Sequence, residues 1–265
     1  MGADLTWLED AGLTFDVAGA VATVTLARKE RRNAMTPRMW LGLARIGREL
    51  VPADTRVVIV KGDGPSFCAG IDLRTFAPEG VPGEPAALRP EDDGFEDQVK
   101  RYQDGYRWLS KPEFVSIAAV QGHAIGAGFQ LALACDLRIL ADDATFCMKE
   151  PELGLVPDLA GTKPLVEIVG LPRAIELCLT ARTISATEAE QFRLAEKVVP
   201  AAELGATVAK LAADLQKTVP AAARATKKLL RQARTNTPDQ QAEAERKAQR
   251  QLLLSSRPAP AGSRS

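Results

Sequence analysis

Three side chains able to move protons stand within one short segment. "KEPELGLVPD" carries Glu150, Glu152 and Asp158, and on an extended chain Glu150 and Glu152 would share a face. Upstream, "GAGFQLA" (126 to 132) sets two glycines before an apolar helical stretch and leaves one uncharged polar residue, Gln130, just inside it. Such a turn could be a phosphate cradle, part of a membrane span or the wall of an active site. The only histidine is His123, which excludes the usual multi-His metal sites and makes a Ser-His-Asp engine depend on one residue. It reads first as a satisfied core histidine.

A dinucleotide fold needs a third glycine where Leu131 stands, and a longer helix than the two turns available before Asp136 opens the next strand. The uncharged run from Phe114 to Cys135 is long enough to span a bilayer. It contains Gln121, His123, Gln130 and several glycines, without a positive flank, so a membrane helix is not expected. Glycines let backbone approach a ligand closely, and a helix N-terminus aims free N–H groups at negative charge, which suits a developing oxyanion. One amide seldom suffices. "SFCAGIDL" (66 to 73), following the strand "VVIV", supplies a second small-residue turn.

These turns must be held by strands and helices. "LTFDVAGAVATVTLA" reads as a hairpin about Ala18, Gly19 and Ala20. Thr36 and Pro37 read as N-cap and first residue of a helix burying Trp40, Leu43, Ile46 and Leu50. Strands are expected at "RVVIVKG", "FVSIAAV", "DLRILA" and "ATFCMK", with a short helix near 128 to 135. Phe76 to Gly94, rich in Pro, Gly and acids, reads as a mobile surface excursion. Helices dominate after "GTKPL", and Ala201 to Leu254 reads as amphipathic helices with little sheet to cover, hence as an oligomerisation region; "RPAPAGSRS" reads as disordered. The implied organisation is a core over 1 to 200, a helical region over 201 to 256 and a tail over 257 to 265.

The 265 residues carry equal numbers of acidic and basic side chains, 34 of each, so no global field gathers nucleic acid. An anionic ligand needs a local cluster, and "RKERR" offers Arg28, Lys29, Arg31 and Arg32. Cys68, Cys135, Cys147 and Cys178 form no CxxC pair, and the N-terminus lacks the character of a signal peptide, so a cytoplasmic protein with reduced thiols is expected.

Together "FCAGIDL", "GHAIGAGFQLALACDLRI", "RKERRNAM" and "ATFCMKEPELGLVPDLAGTKPLVEIVG" resemble the crotonase superfamily, the enoyl-CoA hydratases and isomerases, over residues 13 to 235. The resemblance implies an α/β spiral of repeated β-β-α turns with a C-terminal helical trimerisation region, assembled as a homotrimer or a homohexamer built from two trimers. It implies a coenzyme A thioester as substrate, no tightly bound cofactor or metal, and no nucleic-acid or membrane partner. The amides of Ile71 and Ala127 would form the oxyanion hole. Arg28, Arg31, Ala69, Gly70, Asp72, Leu73 and Gly126 would line the substrate and coenzyme A site.

Hydratases of that family use two glutamates. Gln130 matches the first position and Glu150 the second, while Asp158 matches a further acid of the dienoyl-CoA isomerases. Glutamine orients but cannot exchange a proton near neutral pH. The resemblance therefore implies an enoyl-CoA isomerase in which Glu150 shuttles a proton, with Asp158 as partner and Gln130 as a polar wall. The alternatives are a hydratase using Glu150 with Asp158, and an acyl-CoA-binding protein without chemistry.

Overall fold

The computed structural model describes residues 5–84 and 90–255. The expected disordered tail, and residues 85–89 of the Pro-rich and Gly-rich stretch, lie outside the described residues.

A short helix α1 (Thr6–Asp10) precedes the hairpin β1 (Leu13–Ala18) and β2 (Val21–Leu26), where Ala18 pairs with Val21 across a turn that Gly19 makes at φ 59°. Helix α2 (Pro37–Arg45) begins as its sequence indicates, with Thr36 accepting from Met39 N–H and Pro37 in first position. Strand β3 (Val57–Gly62), helix α3 (Phe95–Arg107) and strand β4 (Val115–Val120) follow. Then come β5 (His123–Ile125), α4 (Ala127–Ala134), β6 (Leu137–Ala141), β7 (Thr145–Cys147), α5 (Thr162–Val169) and α6 (Leu171–Thr180). The chain continues through β8 (Ile184–Ser185), α7 (Ala186–Gln191), β9 (Lys197–Val199), α8 (Leu204–Gln216), α9 (Pro220–Gln232) and α10 (Pro238–Ser255).

Among the described residues the strands form two sheets. The larger runs β1-β2-β3-β4-β6-β9, antiparallel only between β1 and β2. The smaller runs β5-β7-β8 and continues through isolated parallel bridges, Cys68 to Ala124 and Met35 to Ile71. Each return of the chain thus deposits one strand in the large sheet and a short segment in the small one.

Both faces of the large sheet are buried, which is why β3, β4 and β6 read as continuous apolar runs. One face, with Val58, Val60, Ala118, Val120 and Leu140, joins the main core of α2, α3 and α4. The other, with Val57, Ile117, Ile139 and Ala141, is covered by Leu204, Val208 and Ala212 of α8. The expectation that the C-terminal helices find little sheet to cover therefore fails for α8, whose apolar stripe supplies a layer of the core. It holds for α9 and α10, which have no buried residue. Strands β5, β8 and β9, only two or three residues each, were not expected from the sequence.

A polar anchor holds α9 instead. The Lys227 ammonium reaches Lys111 O and Phe114 O at 2.6 Å and the Asp136 carboxylate at 2.5 Å, with little exposure. Arg224 adds bonds to Ala53 O and Glu113 O. Removing Lys227 leaves Asp136 with Ser116 and the more distant Arg231 but frees α9 from the two carbonyls and the carboxylate that hold it. Lys227→Met should accelerate amide hydrogen exchange across α9 and α10 while leaving β3, β4 and β6 protected, as read by exchange mass spectrometry.

Candidate functional site

The two glycine turns are fastened side by side. Cys68 N–H donates to His123 O at 2.7 Å and Ile125 N–H to Cys68 O at 3.0 Å. Gly70 then passes so close to Ile125 that a Cβ would stand 3.1 Å from its carbonyl oxygen, at φ 97°. Across the strand, Met35 N–H donates to Gly70 O and Asp72 N–H to Met35 O. This alternation turns the Ile71 N–H away from Met35, toward the side where Cys68 meets β5. Ala127 opens α4, so its N–H has no carbonyl partner within the helix. Two amides, one from each turn, are thus available on adjoining loops.

Glu150 sits against the second turn. A Cβ on Gly126 would lie 3.1 Å from Glu150 Oε1 and 3.4 Å from Oε2, crowding the carboxylate, and Gly126 holds φ 49°, a conformation that favours glycine. Glu150 is buried, 9% exposed. Its Oε1 accepts from Gln130 Nε2 at 2.7 Å, whereas its Oε2 is buried without a hydrogen-bond partner among the described residues. Gln130 is wholly buried, and its Oε1 accepts from Leu159 N–H at 2.9 Å and Gly161 N–H at 3.1 Å. The expectation of Gln130 as a polar wall is corrected: it stands behind Glu150, not on the exposed surface of the site. That amide orientation follows from its partners, since only the oxygen can accept from two N–H groups.

Glu150 and Glu152 lie in a 3-10 turn, Glu150–Leu153, not on an extended chain, so they do not share a face. Glu152 points to solvent and pairs with Lys149. Asp158 is solvent-exposed, and its backbone oxygen accepts from Gln103 Nε2 at 2.7 Å. His123 is also exposed, with Nδ1 3.0 Å from Ser66 Oγ, so it is not the core histidine expected.

The electrostatics follow from dryness. Burial pushes the Glu150 carboxyl above its ordinary range, the Gln130 bond opposes that, and the Asp158 charge adds to it. The protein around Asp158 raises its carboxyl too. Burial drives the Cys68 thiol up to about 12 and the Tyr106 phenol well above its usual value, so both stay neutral beside the turns. Tyr106 Oη lies 3.3 Å from Ala127 O and 3.2 Å from Met35 Sδ.

The basic loop is partly committed to the protein itself. Arg28 pairs with Asp72 at 3.1 Å and donates to Ala34 O. Arg74 and then Arg28 hold the Asp72 carboxyl well below the carboxylate range. Lys29 pairs with Asp63 at 3.6 Å, and Arg31 is exposed. Ala69 and Leu73 flank the first turn, Leu73 being 60% exposed. Sequence reasoning missed Asn33, which is wholly buried at φ 56°; its side chain accepts from Arg28 N–H and donates to Asp63 O and Ser66 O. The available signal was an Asn ending a basic run, a residue type that tolerates the left-handed region. It also missed Gly161, where a Cβ would strike the Gln130 side chain at 2.5 Å.

The fold and these turns have counterparts. The family model for Enoyl-CoA hydratase/isomerase matches residues 16–257. The mitochondrial Delta(3,5)-Delta(2,4)-dienoyl-CoA isomerase of Homo sapiens is 35% identical over 221 residues, covering 78% of this chain and 64% of that protein. This chain therefore spans a little under two thirds of the length of that relative. The 1,2-epoxyphenylacetyl-CoA isomerase of Escherichia coli K12 is 35% identical over 237 residues, 88% of this chain and 87% of that protein. A candidate enoyl-CoA hydratase of Thermobifida fusca YX, solved in complex with CoA, is 56% identical with a TM-score of 0.92, over 96% of this chain and 98% of that one. The same protein in complex with acetoacetyl-CoA is 55% identical, TM-score 0.92, over 96% of this chain and all of that one.

A group whose folded pKa is raised favours the fold when protonated and loses that contribution as pH rises through the folded value. The ionised Glu150 therefore costs stability at neutral pH, and a neutral isostere should not. Glu150→Gln should melt above the parent at about pH 8, with the difference closing toward about pH 4, where an ordinary glutamate is half protonated. Calorimetry across that range checks it.

Proposed function

We infer that this chain, which belongs to the enoyl-CoA hydratase/isomerase family, moves a carbon-carbon double bond in an acyl-CoA thioester. The observation that carries this reading is the hydrogen-bond state of the pocket. Gln130 spends both ends of its amide on protein groups, and Glu150 alone keeps a buried carboxylate oxygen free. Hydration calls for a water held and activated between two acid-base groups, and an amide fills neither proton role. A double-bond shift needs one base that takes a proton from the carbon next to the thioester and returns it further along the chain.

The thioester oxygen would lie between the Ile71 and Ala127 amides. Deprotonation moves negative charge onto that oxygen, and two preorganised donors in a dry site stabilise the enolate by about 3 kcal/mol each. Glu150 Oε2 would take the proton and deliver it back. Its raised pKa makes the ionised form a stronger base than a solvated glutamate and the acid a competent donor in the return step. Asp158, electrostatically coupled to Glu150, would serve as a second carboxyl for a proton returned to a more distant carbon. That extends the reading to conjugated dienoyl thioesters, and the resemblance to a dienoyl-CoA isomerase supports it.

For coenzyme A, the exposed Arg31 would meet phosphate, while Arg28 and Asp72 together brace the loop that carries Ala69, Gly70 and Leu73. Gly126 would keep the second turn open to the thioester. The resemblance to proteins solved with CoA and acetoacetyl-CoA supports this ligand class. The four free cysteines suit a reducing compartment such as the cytoplasm. No described helix is long and apolar enough to cross a membrane. A trimer, or a hexamer of two trimers, would cover the exposed Leu230, Leu253 and Leu254 of α9 and α10.

The test is turnover of 2-enoyl, 3-enoyl and 3,5-dienoyl thioesters by one preparation. Isomerisation should dominate over hydration, with an acid limb in kcat/KM above the ordinary glutamate range. Glu150→Gln should lower kcat by about 10³-fold. Asp158→Asn should impair the dienoyl reaction more than the 3-enoyl one. Brisk hydration, or unaltered isomerisation by Glu150→Gln, would overturn the assignment, and tight thioester binding without proton exchange would point to a binding protein.

A further inference from the structure

We propose that Gln130 is a positioning residue whose amide couples the two carboxylates of the site, so that its replacement by the glutamate of a hydratase would change the pH range over which Glu150 works. The inference rests on Glu150 acting as the base. Gln130 never reaches the exposed surface of the site, so any effect it has on turnover passes through its partners.

Those partners are chemically incompatible with a carboxylate. On one side two backbone N–H groups, of Leu159 and Gly161, demand an acceptor. Both follow Asp158 closely in the chain, so the bonds tie the segment just after Asp158 to Gln130. On the other side Glu150 Oε1, 2.7 Å away, demands a donor. An amide satisfies both at any pH. A carboxylic acid satisfies both only while protonated, because its ionised form would put two carboxylate oxygens in contact. Gln130 thus fixes which Glu150 oxygen is tied down and which is free, and it joins Glu150 to the backbone that follows Asp158.

The groups facing Glu150 narrow the interpretation. Asp158 lies on the adjoining loop, Tyr106 on α3, Cys147 on β7 with Lys149 and Glu152 beyond it, and Cys178 on α6. Burial raises the phenol and both thiols, which keeps them neutral, and Lys149 pairs with Glu152 at the surface. Asp158 is the one neighbour whose titration could be mistaken for that of residue 130, and Asp158→Asn removes it.

The experiment is the pH dependence of isomerisation, together with exchange of the proton next to the thioester, in Q130E, Q130A and Q130E/D158N. Q130E keeps an acceptor for both amides, so it retains the fold. With one proton shared between residues 130 and 150 it is active, and it loses activity as the second proton leaves, which adds an alkaline limb absent from the parent. The limb should persist in Q130E/D158N. Q130A should lower kcat by about 10²-fold, the scale of a displaced catalytic group, while KM moves much less. Without substrate, the thermal midpoint of Q130E should fall relative to the parent as pH rises, because the pair binds its last proton more tightly when folded. An unchanged pH profile in Q130E, or parent-like turnover in Q130A, overturns the positioning role. Should Glu150→Gln itself retain turnover, the reading on which the role rests is overturned instead.

Discussion

The close approach of two turns, where Cys68 bridges to Ala124 and Gly70 passes under the Ile125 carbonyl, is the contact on which the rest of the site depends. It can form only if the segment after β3 and the segment after β4 leave the large sheet in the same direction. Parallel pairing of β3 with β4 enforces that, since the C-terminal ends of parallel neighbours lie together. The small sheet then carries the join further. Gly126 N–H donates to Cys147 O, which brings the end of β7 and the following Glu150 turn against α4. A side chain at Gly126 would meet the Glu150 carboxylate. The glycine therefore leaves room for a buried carboxylate beside the second turn and serves more than the turn itself.

Dryness is what this arrangement contributes to chemistry, and it is also what the fold must tolerate. An ionised carboxyl with one unpartnered buried oxygen is unfavourable by comparison with water, and a single neutral hydrogen bond from Gln130 only partly offsets the loss. On the proposed function, the same desolvation would make Glu150 a stronger base. Stability and reactivity thus pull in opposite directions at one side chain, as in many sites where function keeps a local fault in place. The surrounding core is correspondingly firm. Phe129 and Phe146 pack with ring centroids 4.9 Å apart directly beneath, and Tyr106, Phe67 and Met35 are completely buried around the turns.

Much of this was legible in the sequence because the strong signals are local. The hairpin, the Thr36 and Pro37 helix start and the apolar strands β3, β4 and β6 each follow from propensity or periodicity within a short window. Strands β5, β8 and β9 escape such reading because two or three residues carry no period. His-Ala-Ile between two glycines looks like part of a turn until Cys68 and Thr145 arrive to pair with it. Glu150 and Glu152 show the same limit: their spacing suggested a shared face, but Pro151 lies in a 3-10 turn that separates them. The role of Asn33 was hidden because its partners, Asp63 and Ser66, are brought to it only when β3 packs beside β2. Composition, likewise, suggested that the C-terminal helices lack a sheet, because nothing in α8 itself reveals that β4 and β6 present a second apolar face.

That second face explains how one chain can combine a firm core with a loosely held end. α8 buries Leu204, Val208 and Ala212 on the sheet, so it belongs energetically to the core. Beyond it the apolar stripe runs out, and α9 is retained by Lys227 and Arg224 reaching backbone oxygens and Asp136. Charged anchors fix direction well, since each requires a particular acceptor geometry, but for the little-exposed Lys227 the cost of desolvation offsets much of the attraction. The helices after α8 are therefore oriented without being covered, with Leu230, Leu253 and Leu254 left exposed.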